Sequence, residues 1–87
     1  MKIKVAFAPE FFHRLKKLAP DLQEEAIEKV DLFKNRSNHR KLKVHKLKGR
    51  LEGRYSFSVN YKYRIIFIYL KKDEAYLETI GGHDIYK

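Results

Sequence analysis

The sequence contains no cysteine and no tryptophan, and it has only four glycines and two prolines among its 87 residues. Without cysteine, a disulfide framework, a thiolate metal site and a cysteine nucleophile are all excluded. Long apolar runs are also absent: none approaches the roughly 18 residues of a membrane-spanning helix, and the first residues do not resemble a signal peptide. We therefore expect a single small domain over residues 1–87, in the cytoplasm, whose hydrophobic core alone stabilises the fold.

Acidic residues are scarce relative to basic ones. Lys and Arg number 20 against 11 Asp and Glu, which gives a formal net charge of +9. Most of the excess lies in residues 34–54, which hold nine basic residues and one acid, Glu52. We call residues 34–54 the basic segment. Such a density of one sign is typical of a site for a polyanion, and we expect nucleic acid there, although an acidic protein could use the same surface.

Hydrophobic periodicity predicts a strand and two helices in the N-terminal part of the chain. Residues 2–8 alternate between polar and apolar side chains, as a half-buried strand does. Pro9 suits the first position of a helix, and Pro20 ends that helix. Asp21 and Glu24 have the spacing of a capping box, which predicts the start of a second helix. The predicted inner faces of the two helices consist of Phe11, Leu15, Leu18, Leu22, Ala26, Ile27, Val30 and Phe33.

The pattern changes to the period of two residues that strands have in the second half of the chain. Residues 54–60 alternate, residues 63–70 form a nearly continuous apolar run, and residues 75–80 return as a further strand. Residues 42–51 alternate loosely, which fits either a strand or an extended arm. The predicted fold class is therefore α+β, of order β-α-α-β-β-β, with two N-terminal helices on one face of a twisted, mainly antiparallel sheet. The other face is then free to form a concave, basic site.

Four short motifs follow one another in this second half. They are LKGRLEG (47–53), YSFSV (55–59), YRIIF (63–67) and GGHDIY (81–86). In this order and spacing they resemble the RelE/ParE superfamily of bacterial and archaeal toxins, and they are most similar to its YoeB-like and YafQ-like branch. The resemblance implies a type II toxin that cleaves mRNA in the ribosomal A site without a metal or cofactor. It also implies an acidic antitoxin as partner, a toxin that is monomeric or in a heteromeric complex with that antitoxin, and no membrane association.

The resemblance assigns roles to four side chains near these motifs. His45 precedes the Leu-x-Gly motif, as a catalytic histidine candidate does in YafQ-like toxins. Arg64 matches the strand arginine that faces the scissile phosphate in YoeB-like toxins, and His83 matches the C-terminal histidine of YafQ-like toxins. Tyr86 corresponds to the aromatic residue near that tail. The implied catalytic set is therefore His45, Arg64, His83 and Tyr86.

Metal-free RNA cleavage requires a base for the 2′-hydroxyl, an acid for the departing 5′-oxygen and cations around the phosphorane. Histidine suits both proton transfers at neutral pH, and we expect His45 and His83 to carry them. Contacts to backbone phosphates are expected from Lys43, Lys46, Lys48, Arg50 and Arg54. The chain departs from the YafQ-like pattern at Ser58, Lys62 and Gly82, where those toxins have His, Asp and Thr, so the division of roles stays open.

Several of these residues also have simpler interpretations. His39, beside Arg40, is expected to add only positive charge, and His13 is expected to be a structural or surface residue. Tyr61 is assigned to the core or to a turn, whereas Tyr86 is favoured to stack on a base. For the whole chain, the alternatives are a ParE-like, non-enzymatic inhibitor of DNA gyrase and an inactive RNA-binding relative.

Overall fold

The computed structural model describes residues 1–86, in which two helices and a five-stranded mixed sheet form an α+β fold. In chain order the elements are β1 (Lys4–Phe7), α1 (Pro9–Leu15), α2 (Pro20–Phe33), β2 (His45–Lys46), β3 (Tyr55–Ser58), β4 (Arg64–Lys71) and β5 (Glu74–Gly81). Short 3-10 turns cover Arg36–Asn38, Gly49–Leu51 and His83–Tyr86. The predicted fold class and element order are confirmed, and the loosely alternating residues 42–51 contribute the short strand β2.

The strands lie side by side in the order β1-β5-β4-β3-β2. β1 runs parallel to its neighbour β5, whereas the pairs β5–β4, β4–β3 and β3–β2 are antiparallel. The sheet is therefore mainly antiparallel, as predicted. Neither α1 nor α2, the two α-helices of residues 1–86, has the length and apolar character that a membrane span needs.

Both helices pack on the same face of the sheet, because buried side chains from the helices and the strands form one cluster. This cluster includes Phe11 and Leu15 from α1, Ala26, Val30 and Phe33 from α2, and Phe57, Ile65, Phe67, Ala75, Leu77 and Ile80 from the strands. Leu18 and Leu22 are partly buried against it. The prediction of two helices on one face, with these side chains inward, is confirmed.

Ile27 does not belong to this inner face, so its assignment was wrong. The residue is 58% exposed, whereas its neighbour Ala26 is completely buried. Successive residues of a helix are rotated by about 100° around the axis. With Ala26 aimed at the sheet, Ile27 therefore turns away from the core and into solvent.

The predicted capping box is also wrong. α2 begins at Pro20, and its N-cap residue is Ala19, which provides no side-chain hydrogen bond. Because proline occupies the first helical position, Asp21 falls inside the first turn instead of capping it. The carboxylate of Asp21 accepts a hydrogen bond from the N–H of Leu22 (3.0 Å), and its charge still favours the positive end of the helix dipole.

His39 is a buried structural residue and does more than add charge, which corrects the prediction. Its ring stacks on Phe33 with centroids 4.5 Å apart, and Phe33 in turn stacks on Phe57 at 4.4 Å. The Nε2–H of His39 donates to the backbone carbonyl of Phe33 (2.8 Å), since a carbonyl can only accept. The loop after α2 is therefore fastened to the core by the imidazole of His39.

This burial makes the stability of the fold depend on pH. Burial lowers the pKa of His39 below its ordinary value of 6.5; the hydrogen bond to Phe33 opposes this, and the positive charge of Arg36 lowers the pKa further. Between the lowered pKa and 6.5 the unfolded chain binds more protons than the folded chain, so the free energy of unfolding falls as pH falls through this range. Below the lowered pKa both states are protonated, and the loss levels off.

We expect His39→Gln to remove this part of the pH dependence. Urea unfolding of the parent chain and the variant, measured from about pH 8 to about pH 5, gives the slope for each. His13→Gln, at an exposed position on α1, is the matched control and is expected to keep the slope of the parent chain. A His39→Gln chain whose stability falls with pH as steeply as that of the parent would contradict the assignment.

Candidate active site

The sheet face turned away from α1 and α2, which we call the distal face, carries a row of register partners across four strands. The row consists of His45 on β2, Ser56 on β3, Ile66 on β4 and Thr79 on β5. Directly paired residues of neighbouring strands project from the same side of a sheet, so these four share the distal face. Ser56 is 0% exposed and Ile66 is 2% exposed. The distal face is therefore covered, although the two helices lie on the other side.

The C-terminal 3-10 turn provides part of this cover. The hydroxyl of Tyr86 reaches to 3.5 Å from the Oγ of Ser56, which is longer than a strong hydrogen bond but places the ring over the middle of the sheet. Ile85, from the same turn, lines a groove of about 340 Å³ together with Ile66 and Glu78. The turn thus brings Tyr86 to the row that contains His45.

An ion pair lies on the distal face beside this row. The Nε of Arg54 donates to the Oε1 of Glu78 at 2.7 Å, and the two side chains are 40% and 25% exposed. Arg54 is therefore on the predicted face, but one of its donors is held by a carboxylate. An incoming phosphate has to compete with Glu78 for this guanidinium.

Sequence reasoning missed Glu78, because a β-bulge decides where it points. Ile66 pairs with Thr79 while the next residue, Phe67, pairs with Leu77, which leaves Glu78 as the extra residue on β5. A bulge of this kind turns two successive side chains to one side, here Glu78 and Thr79 to the distal face. The available signal was the adjacent polar pair Glu78-Thr79 between apolar residues, which breaks the alternation of the strand.

His45 lies at the edge of the sheet and is exposed. Its Nδ1–H donates to the carbonyl oxygen of Lys43 at 2.9 Å. Because a carbonyl only accepts, this bond places the proton of the neutral ring on Nδ1 and leaves Nε2 as a free proton acceptor. Lys43 has a φ of 59°, in the left-handed region that residues other than glycine rarely adopt. A strained backbone residue thus orients the imidazole.

Arg64 lies in the next row of the same sheet, paired with Ser58 on β3 and Gly81 on β5. Its Nη1 donates to the carbonyl of Asn60 at 2.5 Å and approaches that of Tyr63 at 3.3 Å. These carbonyls satisfy a half-buried guanidinium inside an apolar strand. No acceptor within residues 1–86 takes its Nε or Nη2, so those N–H groups are available to a ligand.

The structure separates the two histidines that sequence reasoning paired. His45 is on β2, and His83 follows the end of β5, so three strand spacings, or about 14 Å of sheet, lie between their backbones. His83 is exposed and starts the C-terminal turn beside the row of Arg64. Tyr86, at the other end of the turn, is the nearer of the two tail residues to the row of His45.

Four of the five predicted phosphate contacts are exposed along β2 and the loops beside it. These residues are Lys43, Lys46, Lys48 and Arg50. Lys46 and Lys48 line a groove of about 600 Å³ that continues to Arg54 and Tyr55. The expected positive surface is thus formed next to His45.

The start of the basic segment lies elsewhere and serves the fold. Lys34 pairs with Asp31 at 3.7 Å. Arg36 donates to the carbonyl of Lys72 at 2.7 Å, and its guanidinium carbon lies 5.8 Å from the ring centre of Tyr69. These two basic residues therefore hold α2 and the β4–β5 hairpin, and do not extend the surface beside His45.

Solved structures of toxins share this arrangement of helices and strands. A chain of the archaeal RelE–RelB complex from Pyrococcus horikoshii superposes with a TM-score of 0.72 at 20% identity, covering 94% of this chain and 96% of that one. A chain of the toxin–antitoxin complex RelBE2 from Mycobacterium tuberculosis gives 0.73 at 17% identity, covering 95% and 100%. A YafQ mutant from Escherichia coli gives 0.70 at 16% identity, covering 98% of both chains.

This chain has the RelE-type toxin fold. The resemblance of its motifs to the RelE/ParE superfamily is thereby confirmed at the level of the fold. No protein-family model matches the sequence, and no curated protein matches it. The likeness therefore lies in the fold of the backbone, at 16–20% sequence identity.

Arg14 fastens the C-terminal turn of this RelE-type fold to the sheet. Its Nε donates to the carbonyl of Ile80 at 2.8 Å, and its Nη2 donates to the carboxylate of Asp84 at 2.7 Å. The hydrogen bond from Arg14 lowers the pKa of Asp84, so the carboxylate stays charged and the contact is kept at neutral pH. Because Asp84 lies between His83 and Tyr86, this contact helps to orient the turn that carries both candidate site residues.

Gly81→Ala is expected to displace the C-terminal turn. A Cβ at Gly81 would overlap the Cγ2 of Ile85 and lie 2.8 Å from the Nη2 of Arg14, so the turn has to move. We expect the amides of residues 82–86 to exchange hydrogen faster, and the free energy of unfolding to fall by about 1–3 kcal/mol.

Gly82→Ala is the matched control, because a Cβ there would meet its nearest atoms at ordinary distances of 3.7 and 3.8 Å. Its exchange pattern is expected to match that of the parent chain. Equal protection of residues 82–86 in both variants would show that the turn does not depend on the close approach at Gly81.

Proposed function

We propose that this chain is the toxin of a type II toxin–antitoxin system and that it cleaves mRNA on the ribosome without a metal ion. The observation that carries the proposal is the distal face itself. There, His45, with a free Nε2, lies in the same row as Ser56, which the hydroxyl of Tyr86 reaches. Arg54, Arg64 and several exposed lysines lie beside this row. The solved structures with the same fold support a toxin, since their names describe RelE, RelBE2 and YafQ.

The reaction uses the 2′-hydroxyl of the substrate as the nucleophile, which restricts it to RNA. The Nε2 of His45 takes the proton of this hydroxyl, and the 2′-oxygen forms a bond to the adjacent phosphorus. The bond from phosphorus to the 5′-oxygen of the next nucleotide then breaks, and that oxygen takes up a proton from an acid. The products are a 2′,3′-cyclic phosphate and a 5′-hydroxyl, so no water or cofactor is consumed in this step.

The acid is either His83 or Tyr86. His83 has the better intrinsic acidity for the task, because imidazolium donates readily near neutral pH. Tyr86 has the better position, because its hydroxyl already reaches the row of His45. Arg64, with Nε and Nη2 available, and Arg54, once a phosphate displaces Glu78, stabilise the charge of the phosphorane.

We expect His45→Gln to lower the cleavage rate by about 10²–10⁴-fold while leaving association with ribosomes nearly unchanged. A glutamine keeps the size and polarity of the side chain but cannot exchange a proton. The measurement is primer extension on mRNA in a purified translation system, with His13→Gln as the matched control. Parent-like cleavage by a chain that lacks both His45 and His83 would overturn the catalytic assignment.

Comparison of His83→Gln with Tyr86→Phe identifies the acid. The variant that removes the acid is expected to lose about 10²–10⁴-fold in rate, and the loss should shrink with a substrate whose 5′-leaving group is sulfur and needs no proton. In the other variant, replacing the 5′-oxygen of the substrate by sulfur is expected to change the cleavage rate by the same factor as in the parent chain. Equal behaviour of both variants with both substrates would mean that neither side chain supplies the proton.

The proposed partner is an acidic antitoxin that covers the distal face and the exposed lysines. RelBE2, a complex with this fold, contains an antitoxin by its name. We expect this chain alone to arrest growth, co-expression of an acidic neighbouring gene product to restore it, and the affinity of the pair to fall with salt.

A parallel supercoiling assay tests the gyrase alternative. Inhibition of gyrase together with intact mRNA would replace cleavage by the ParE-like function. Normal growth in the presence of this chain, with no binding by the neighbouring product, would remove the support for a toxin of either kind.

A further inference from the structure

Tyr61 is displayed to solvent in an unusual way. It lies in the turn between β3 and β4 and is 87% exposed. Burial of an aromatic ring of this size is favourable relative to exposure to water, and most rings of this chain are at least half-buried. Sequence reasoning assigned Tyr61 to the core or a turn; it is in the turn, and its ring is free to meet a ligand.

The turn that carries Tyr61 is rigid. The Oδ1 of Asn60 accepts the backbone N–H groups of Lys62 and Tyr63, both at 2.9 Å. The Nδ2 of Asn60 donates to the Oε1 of Glu25 on α2, also at 2.9 Å. The carbonyl of Asn60 accepts from Arg64. The hydrogen bonds of Asn60 therefore fix the backbone on which the exposed ring of Tyr61 projects from the surface.

A basic groove, which we call the Tyr61 groove, lies beside this ring. Its volume is about 280 Å³, slightly below the ~300–1,000 Å³ of clefts that bind small molecules, and it suits one flat ring with its phosphate. The polar side chains of the lining belong to Lys29, Lys41, Lys43, Ser58, Asn60 and Arg64. Glu25 partly neutralises Lys29, at 3.8 Å, so the uncompensated charge lies on the side of Lys41, Lys43 and Arg64.

The groove is continuous with the candidate active site. Lys43 lines the groove and also accepts the Nδ1–H of His45 with its backbone carbonyl. Ser58 and Arg64 line the groove and form the row next to that of His45 and Ser56. The row of Ser58 and Arg64 lies two residue spacings, or ~7 Å, from the row of His45, so an RNA strand that leaves His45 along the edge of the sheet enters the Tyr61 groove.

We propose that the Tyr61 groove is a second nucleotide subsite, which holds the nucleotide adjacent to the scissile phosphate of a single-stranded RNA. The base stacks on Tyr61, and its phosphate lies between Lys41 and Lys43, while Arg64 stays with the scissile phosphate. This inference rests on the proposed function, because it assumes that RNA occupies the neighbouring site. Exposed aromatic rings beside cationic grooves bind single strands with little sequence preference, since every base has a flat face.

The experiment uses the full chain carrying His45→Gln, so that RNA is bound without being cleaved. The probe is a fluorescein-labelled single-stranded RNA of about eight nucleotides, followed by anisotropy. Tyr61→Leu is expected to weaken binding by about 5- to 150-fold, whereas Tyr61→Phe keeps the affinity because phenylalanine still stacks. Because the ring is exposed, neither change should alter the Tm.

The lysine test uses the salt dependence of the same binding. Lys41→Gln is expected to reduce the slope of log affinity against log salt concentration by about 0.7, the value for one phosphate contact of a single strand. Lys16→Gln, an equally exposed lysine at the end of α1, is the matched control and should leave the slope unchanged. Equal slopes for the two lysine variants would place the phosphate elsewhere.

Failure of the groove is distinguishable from failure of the proposed function. If the parent chain cleaves mRNA but Tyr61→Leu binds RNA as tightly as Tyr61→Phe, the groove assignment is overturned and the toxin proposal stands. If RNA binding depends on Tyr61 but the parent chain does not cleave mRNA, the nucleotide subsite is supported and the proposed nuclease activity is overturned. Absence of RNA binding, or dependence on Tyr61 only for a polyglutamate peptide, would overturn the subsite and make the groove a surface for an acidic protein.

Discussion

The structure depends on strand β4 being covered on both faces. Ile65 and Phe67 point to the helices and are completely buried, and Ile66 between them points to the distal face and is also buried. The helices cover one side, but the cover of the other side includes the short C-terminal turn that Arg14 holds through Ile80 and Asp84. The same few residues therefore complete the core and build the candidate site, so a change in the turn affects stability and chemistry together.

Because the C-terminal turn serves both the core and the candidate site, Ile85 and Arg14 have to lie close to the backbone of Gly81. A Cβ there would push Ile85 and Arg14 away, and we expect this shift to move Tyr86 from its place near Ser56. An exposed ion pair such as Arg14–Asp84 adds little to stability by itself, because water screens both charges. The position of the C-terminal turn is therefore set by the packing of Ile85 against Gly81, and the Arg14–Asp84 ion pair helps to orient it.

Much of the fold could be predicted from the sequence because period and burial agree along most of the chain. The stripe from Phe11 to Phe33 and the change to a period of two predicted both helices and the order of the helices and strands along the chain. The failures have local causes: Pro20 moved the start of α2, and the bulge at Glu78 shifted one side chain to the other face. His39 looked like one more cation in a basic run, because a pattern of charges does not reveal a ring that stacks on Phe33.

The candidate site was less predictable, because it combines segments that only the register brings together. The motifs pointed to His45, Arg64 and Tyr86, whose catalytic roles stay predictions, but no spacing in the sequence places Ser56 between His45 and Tyr86, or Glu78 against Arg54. His45 and His83 both suit proton transfer by type, yet the order of the strands puts three strand spacings, about 14 Å across the sheet, between them. The residue types suggest which reaction is possible, and the order and register of the strands determine which residues lie close enough to take part in it.

The position of His45 shows how little structure holds the proposed base. β2 has two residues, paired to Ser56 and Tyr55, so neighbouring strands fix the backbone of His45 by one short ladder. The left-handed conformation of Lys43 and its bond to Nδ1 then fix the ring, at a cost of about 1–2 kcal/mol for a residue that is not glycine. The same conformation also closes the turn that follows His39, because the N–H groups of Lys43 and Val44 donate to the carbonyls of Arg40 (3.1 Å) and His39 (3.0 Å). Lys43 therefore ends this turn and orients Nε2 of His45, and since it also lines the Tyr61 groove, it links that orientation to the RNA subsite proposed there.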